Sequence, residues 1–256
     1  MDDLTALLPK LNADNLDERK AARERFEDVC TNAARPGAEE ERAAAAKAVV
    51  GLLGGDLSLP VRVWLLRELW LIGGAEAVPA LAGHLGQADE ETRDAARRAL
   101  QKNPSTEAVA ALVAGLKDAK TPAVRVAMLN ALGARLDASL VAGLVPFLTD
   151  AAPEAGTASA AALGRIGGPE AAKALAAAQA GANAVVGPAV GEARLQCAQQ
   201  FLLAGQPDDA EAIYKDLAAA GAEPLRLAAR HGLEAVALTR KSGRPEFPPA
   251  APRRGA

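Results

Sequence analysis

Histidine, cysteine and aromatic side chains are all scarce in this 256-residue chain, and each scarcity removes a class of function. The two histidines, His84 and His231, have neither a second histidine nor a cysteine at ligand spacing, so a metal centre has nothing to hold it. Cys30 and Cys197 lie too far apart in sequence for a disulfide framework and read as small apolar residues in Ala-rich helices. With 3% aromatic against 50% hydrophobic residues, the core must be built from Ala, Leu and Val. No run is long and apolar enough to span a bilayer, and the opening MDDLTALLPKL lacks the regions of a signal peptide. These features fit a soluble chain, cytoplasmic as it stands, or exported if a signal peptide has been removed. No nucleophile-elbow, phosphate-loop or zinc-protease motif is present. The pairs Gly54-Gly55, Gly73-Gly74 and Gly167-Gly168 sit where turns are expected rather than after strands. No catalytic, cofactor or metal site is therefore expected.

What the chain does contain is a repeat, and the stretch Thr121 to Asp150 is its clearest copy. Val124, Ala127, Met128, Ala131 and Leu132 follow the spacing of one helix face, behind a Thr121 cap and Pro122 at the first helical position. Gly133 is expected to loosen the end of that helix. Asp137 then starts a second helix, with the stripe Val141, Leu144, Val145 and Leu148. Arg62, Arg93 and Arg125 recur at steps of 31 and 32, and Leu81, Leu112, Leu144 and Leu175 at 31, 32 and 31. Prolines near the start of the first helix return at Pro60, Pro122, Pro153, Pro188 and Pro224. A helical hairpin with more apolar surface than two helices can hide must stack on neighbours, as solenoid repeats do.

These residues resemble a known family. AVRVAMLNALG, AALGRIGGPEAAKAL and LIGGAEAVPAL carry the pattern of bacterial HEAT repeats, over roughly 16–240, and are similar to Ala-rich HEAT proteins of planctomycete-type bacteria. The segment FLLAGQPDDAEAIYKDLAAAG resembles a tetratricopeptide helix pair as well. The resemblance implies an all-α, HEAT-type α-solenoid of about six helical hairpins plus a terminal helix. The expected units are 16–55, 57–86, 89–117, 121–150, 153–180 and 188–220, with a half-unit at 224–240 and a disordered Pro/Arg-rich tail or linker at 241–256. A short polar lead precedes them, and Asn15 caps the first long helix.

The resemblance specifies a fold, not an activity. Diiron hydroxylases of this fold carry His-Glu pairs, which His84-Leu85 and His231-Gly232 are not. HEAT-like DNA glycosylases need a basic groove. Without the tail from Arg240, the body holds 24 basic against 31 acidic residues, and the arginines of 90–102 are interleaved with Glu90, Glu91 and Asp94. No nucleic acid is expected as a partner. Bilin-lyase subunits share the repeat type, but no residue here marks that chemistry.

Two sets of residues remain. The turn aspartates and recurrent arginines, Asp56 with Arg62, Arg93, and Asp118 with Arg125, resemble the ladder between neighbouring repeats of HEAT stacks. That ladder lapses at Gly156, a weak spot or a joint. In HEAT proteins the second helices line a concave face, which aligns Ala80, Ala111 and Gly143 in one row and His84, Gly115 and Phe147 in another. Glu76 and Glu107 lie at the edge. Such a smooth face fits a protein or peptide partner anchored at Phe147; the same rows also follow from Ala-rich composition, with Phe147 in the core. The leading expectation is a non-enzymatic scaffold, possible as a module of a longer chain. A spacer without a groove, and a lyase-like subunit by fold analogy alone, are the alternatives.

Overall fold

The computed structural model describes residues 2–247, with side-chain surroundings from residue 4, and among them there are helices and no strands. In order these are α1 (Asp2–Leu7), α2 (Leu16–Ala33), α3 (Glu39–Leu53), α4 (Leu59–Ile72), α5 (Val78–His84), α6 (Glu90–Lys102), α7 (Thr106–Lys117), α8 (Pro122–Gly133), α9 (Val141–Leu144), α10 (Pro153–Ile166), α11 (Gly168–Gln179), α12 (Val186–Leu203), α13 (Pro207–Ala220) and α14 (Glu223–Ser242). Two compact units divide them, Met1–Ala119 and Lys120–Ala256.

In the first unit, local chemistry sets the helix starts. Asn15 accepts hydrogen bonds from the Asp17 and Glu18 backbone N–H groups, and Asp89 and Ser105 cap α6 and α7 in the same way. Gly37, at φ +82°, turns the chain between α2 and α3. Phe26 and Cys30 of α2 are fully buried, and the Phe26 ring meets Trp64 edge-on at 4.8 Å. The lead is more than polar. It forms α1 and a 3₁₀ turn (Leu8–Asn12), with Leu4 and Leu11 fully buried, because the outer face of α2 and α3 needs an apolar cover.

The second unit shows why Gly133 is a glycine. It is the last residue of α8, where the helix ends as expected, and it is also a contact: a Cβ there would come within 2.6 Å of Ala162 on α10. Gly164 repeats the device 31 positions later, against Ala193 of α12 at 2.8 Å. The chain reverses instead at Leu136, whose φ is +57°. The helix expected from Asp137 is broken into a 3₁₀ turn (Ala138–Leu140), α9, and a second 3₁₀ turn (Val145–Thr149), because Pro146 supplies no N–H for a continuous ladder. Pro122, Pro153 and Pro224 sit in the first two positions of their helices, but Pro188 is third in α12, whose start is capped by the Asn183 side chain. Gly156 is packed rather than loose, since a Cβ there would meet Val186 at 2.8 Å.

The terminal helix has a partner. Gly232 of α14 lies on the Tyr214 ring of α13, and Arg240 pairs with Asp208 and Glu211. After Gly243, in the left-handed region, the chain turns back so that Glu246 N–H donates to Thr239 Oγ1 at 3.0 Å. The rest of the expected tail, 248–256, lies outside the described residues.

Candidate functional site

The leucine row expected to hold the second helices in place is buried throughout, with Leu81, Leu112 and Leu175 fully covered and Leu144 nearly so. The rows beside it stand at the margin of the core. In the first unit Ala80, His84, Ala111 and Gly115 are half-buried; in the second, Phe147 is half-buried and Gly143 is exposed, with open space where a Cβ would project. His84 is constrained: burial first, and then the Arg62 charge, lowers its pKa, and its buried Nδ1 has no hydrogen-bond partner.

Glu76 is not a free edge charge. Its carboxylate pairs with Arg42 at 2.9 Å and accepts from the Gly74 N–H at 3.0 Å, while Arg42 also donates to the Ile72 carbonyl at 2.6 Å. Half-buried, this set ties α3 to the end of α4. Glu107 does stay exposed, in the first turn of α7, where a backbone N–H holds its carboxyl below the usual range.

Arg62 and Arg93 do a different task from the one their spacing predicts. Arg62 donates to the Leu57 carbonyl rather than to exposed Asp56, and Arg93 donates to Gln87 and Ala88 carbonyls. Each reaches back five or six residues to tie its helix to the preceding turn, as Arg19 does with Ala13. Arg125 pairs forward with Asp150, at 3.2 Å; Asp118 is exposed at the end of the first unit. Contacts between neighbouring hairpins come from other side chains, which cap the carbonyls that end a first helix. Asn103 donates to the Gly74 carbonyl at 2.8 Å, and Gln200 to the Gly164 and Arg165 carbonyls.

Both cysteines are buried. Burial raises the Cys30 thiol far above its ordinary value, with nearby Glu68 adding to the effect, and raises Cys197 to about 11. A thiol reagent such as Ellman's at pH 8 will leave both unmodified in the native protein and titrate both in guanidinium, since little thiolate forms below these values. Rapid native modification of either would contradict the packing.

A further concavity lies on the first helices. In the first unit a groove of about 930 Å³ runs between α4 and α6. Trp70 keeps 50% of its surface exposed and Leu59 38%, so the floor offers apolar area that no part of the described chain covers. Spacing along α4 does not flag Trp70, which stands seven residues after buried Val63 and four after buried Leu66; only the packing of α6 leaves it open. The arginines of α6 do not form a free basic surface here: Arg97 and Arg98 share Asp94, at 2.5 and 2.6 Å.

Repeated helical hairpins with a shared leucine row and small-residue helix crossings define the α-solenoid class of repeat proteins. The chain belongs to the HEAT repeats, whose family model matches residues 46–125 and 110–193, more than half of its length. No curated protein sequence matches it. Among solved structures it is similar to an engineered protein of the Northeast Structural Genomics Consortium, at 23% identity over 95% of this chain and 98% of that one, with a TM-score of 0.40. It is also similar to the complex of CpcE and CpcF of phycocyanin lyase from Nostoc sp. PCC7120, at 18% identity over 91% and 94%, with a TM-score of 0.44. A designed armadillo repeat protein is 20% identical over 91% and 99%, with a TM-score of 0.37. No helix among the described residues is long and apolar enough to cross a membrane.

Proposed function

We propose that this HEAT-repeat chain is a non-enzymatic scaffold that binds a protein or peptide against its helix faces. The observation that supports this reading is the groove between α4 and α6, because an indole left half exposed beside a cavity of that size is apolar area that binding would remove from water. Volumes of roughly 300–1,000 Å³ are those of ordinary ligand sites. The second-helix face with Phe147 remains the other surface on which a partner would rest. There Phe147 is half-buried beside exposed Gly143, and on the second helices of the first unit Glu76 is held by Arg42.

Affinity capture from the source cells with wild type, Trp70→Ala and Phe147→Asp, each confirmed helical by circular dichroism, tests the reading. A partner retained by wild type and lost with Trp70→Ala is the expected result, with a fall in affinity of about tenfold or more, as for aromatic anchors generally. Loss with Phe147→Asp alone would move the site to the second helices. If neither substitution changes what is captured, the scaffold reading fails on both faces.

A further inference from the structure

Resting on that reading, we infer that the groove between α4 and α6 takes an extended peptide carrying a basic side chain at one end and an apolar side chain about five residues away. The two ends of the groove differ in charge, and the difference is only partly cancelled by Arg62 and Arg93 at the start of the two helices. The two helices run side by side in the same direction, since Asn103 just after α6 donates to the Gly74 carbonyl just after α4 at 2.8 Å, so the start of α6 lies level with the start of α4. At this end Asp89 is occupied as a cap, accepting from Thr92 N–H at 2.7 Å. Glu90 and Glu91 beside it line the groove, are exposed, and make no ion pair among the described residues. At the far end the groove is lined by Trp70, Arg67 and Arg98. Asp94 neutralises Arg98 at 2.6 Å, whereas Arg67 is exposed and has no ion-pair partner among the described residues.

These charges select a ligand orientation. A basic side chain is drawn to Glu90 and Glu91 and repelled from Trp70 by Arg67, so the indole is left for an apolar side chain. The α6 helix dipole, about half a charge, opposes the first attraction, and Arg62 and Arg93 offset it further, Arg93 being held on the Gln87 and Ala88 carbonyls; the attraction is what the three carboxylates Asp89, Glu90 and Glu91 leave over. From Leu59 to Trp70, α4 advances eleven residues, about 16 Å at ~1.5 Å per residue. An extended chain covers that distance in about five residues at roughly 3.3 Å each. The spacing follows from the helix length, and the sign from the unpaired groups.

The test is a random heptapeptide display library selected on the wild-type protein and counter-selected on Trp70→Ala. The expected consensus has Lys or Arg four to five positions from Leu, Ile, Phe or Trp. By fluorescence polarisation the consensus peptide should bind at least tenfold more tightly than its twin with Glu at the basic position. It should lose about as much on Glu90→Gln/Glu91→Gln, a pair of exposed sites where the fold loses only a weak interaction with the α6 dipole, and should weaken as salt rises. A Trp70-dependent consensus without a basic residue, or one indifferent to the Glu90/Glu91 change, overturns this inference while leaving the scaffold reading intact. Self-association in sedimentation that Trp70→Ala abolishes would assign the groove to a second copy and overturn it as well. No enrichment over counter-selection removes the groove from both readings.

Discussion

Replacing Gly232 with valine will cost the second unit more stability than any conservative change on its surface, although the new residue is apolar and glycine is a poor helix former. A Cβ at this position would sit 2.3 to 2.5 Å from three ring atoms of Tyr214, far inside contact distance. The ring cannot swing away easily, because it is 1% exposed and packed in the cluster of Ala198, Leu202, Ala210, Leu217 and Ala235. Relief from the helix penalty of glycine is worth at most about 1 kcal/mol. Overpacking costs typically ~1–3 kcal/mol and occasionally more, and a bulk that meets a ring on three atoms belongs at the upper end. The expected net loss of about 2–3 kcal/mol corresponds to roughly 5–10 °C in Tm. Combining Tyr214→Ala with Gly232→Val should cost clearly less than the sum of the two single changes, because the clash disappears with the ring; a strictly additive double mutant would show that the close approach is not the cause.

Leu112→Asp will have an effect of similar or greater size on the first unit. Leu112 is fully buried in α7, at the centre of the leucine row, and a carboxylate there has neither solvent nor a built partner. Burial of an unpaired polar group together with the lost apolar area places the cost at about 4 kcal/mol or more at neutral pH. Burial raises the folded-state pKa of such an aspartate above its unfolded value, so the folded form binds more protons and the deficit shrinks as pH falls from 7 toward 5. Leu112→Asn should show the packing loss without that recovery. Melting curves of the two variants at both pH values decide the matter, and a Leu112→Asp protein as stable as wild type would put the leucine row on the wrong face. Amide exchange should report the loss first in α5, α6 and α7, because repeat units are stabilised mainly by their nearest neighbours.

The hairpin order of this protein could be read from residues alone because local rules write it many times over. Each first helix starts at a cap or a proline, each second helix carries Leu at the same place, and glycines punctuate between them. An error at one copy is corrected by the next, so the HEAT family could be reached from AVRVAMLNALG and its relatives without coordinates. The site was less legible for the opposite reason: what makes a side chain available is the neighbour it lacks, and that neighbour is about thirty residues away. Glu76 looked like a free edge charge until Arg42, 34 positions earlier, was seen to hold it. Asp56 looked like the partner of Arg62, but the nearer Leu57 carbonyl takes the guanidinium.

Sequence by itself therefore determined the class, the repeat length of about 31 and the buried leucine row, all consequences of backbone hydrogen bonding and apolar periodicity that every hairpin writes again. Tertiary structure alone decided that Gly164 and Gly232, inside their helices, and Gly133, at the end of α8, are contact points, since only a neighbouring helix or ring forbids their Cβ. It also decided that the open surface lies between α4 and α6, at Trp70. Whether an apolar residue is core or interface depends on how closely the next helix packs over it, and that distance is a property of pairs of helices, not of either sequence.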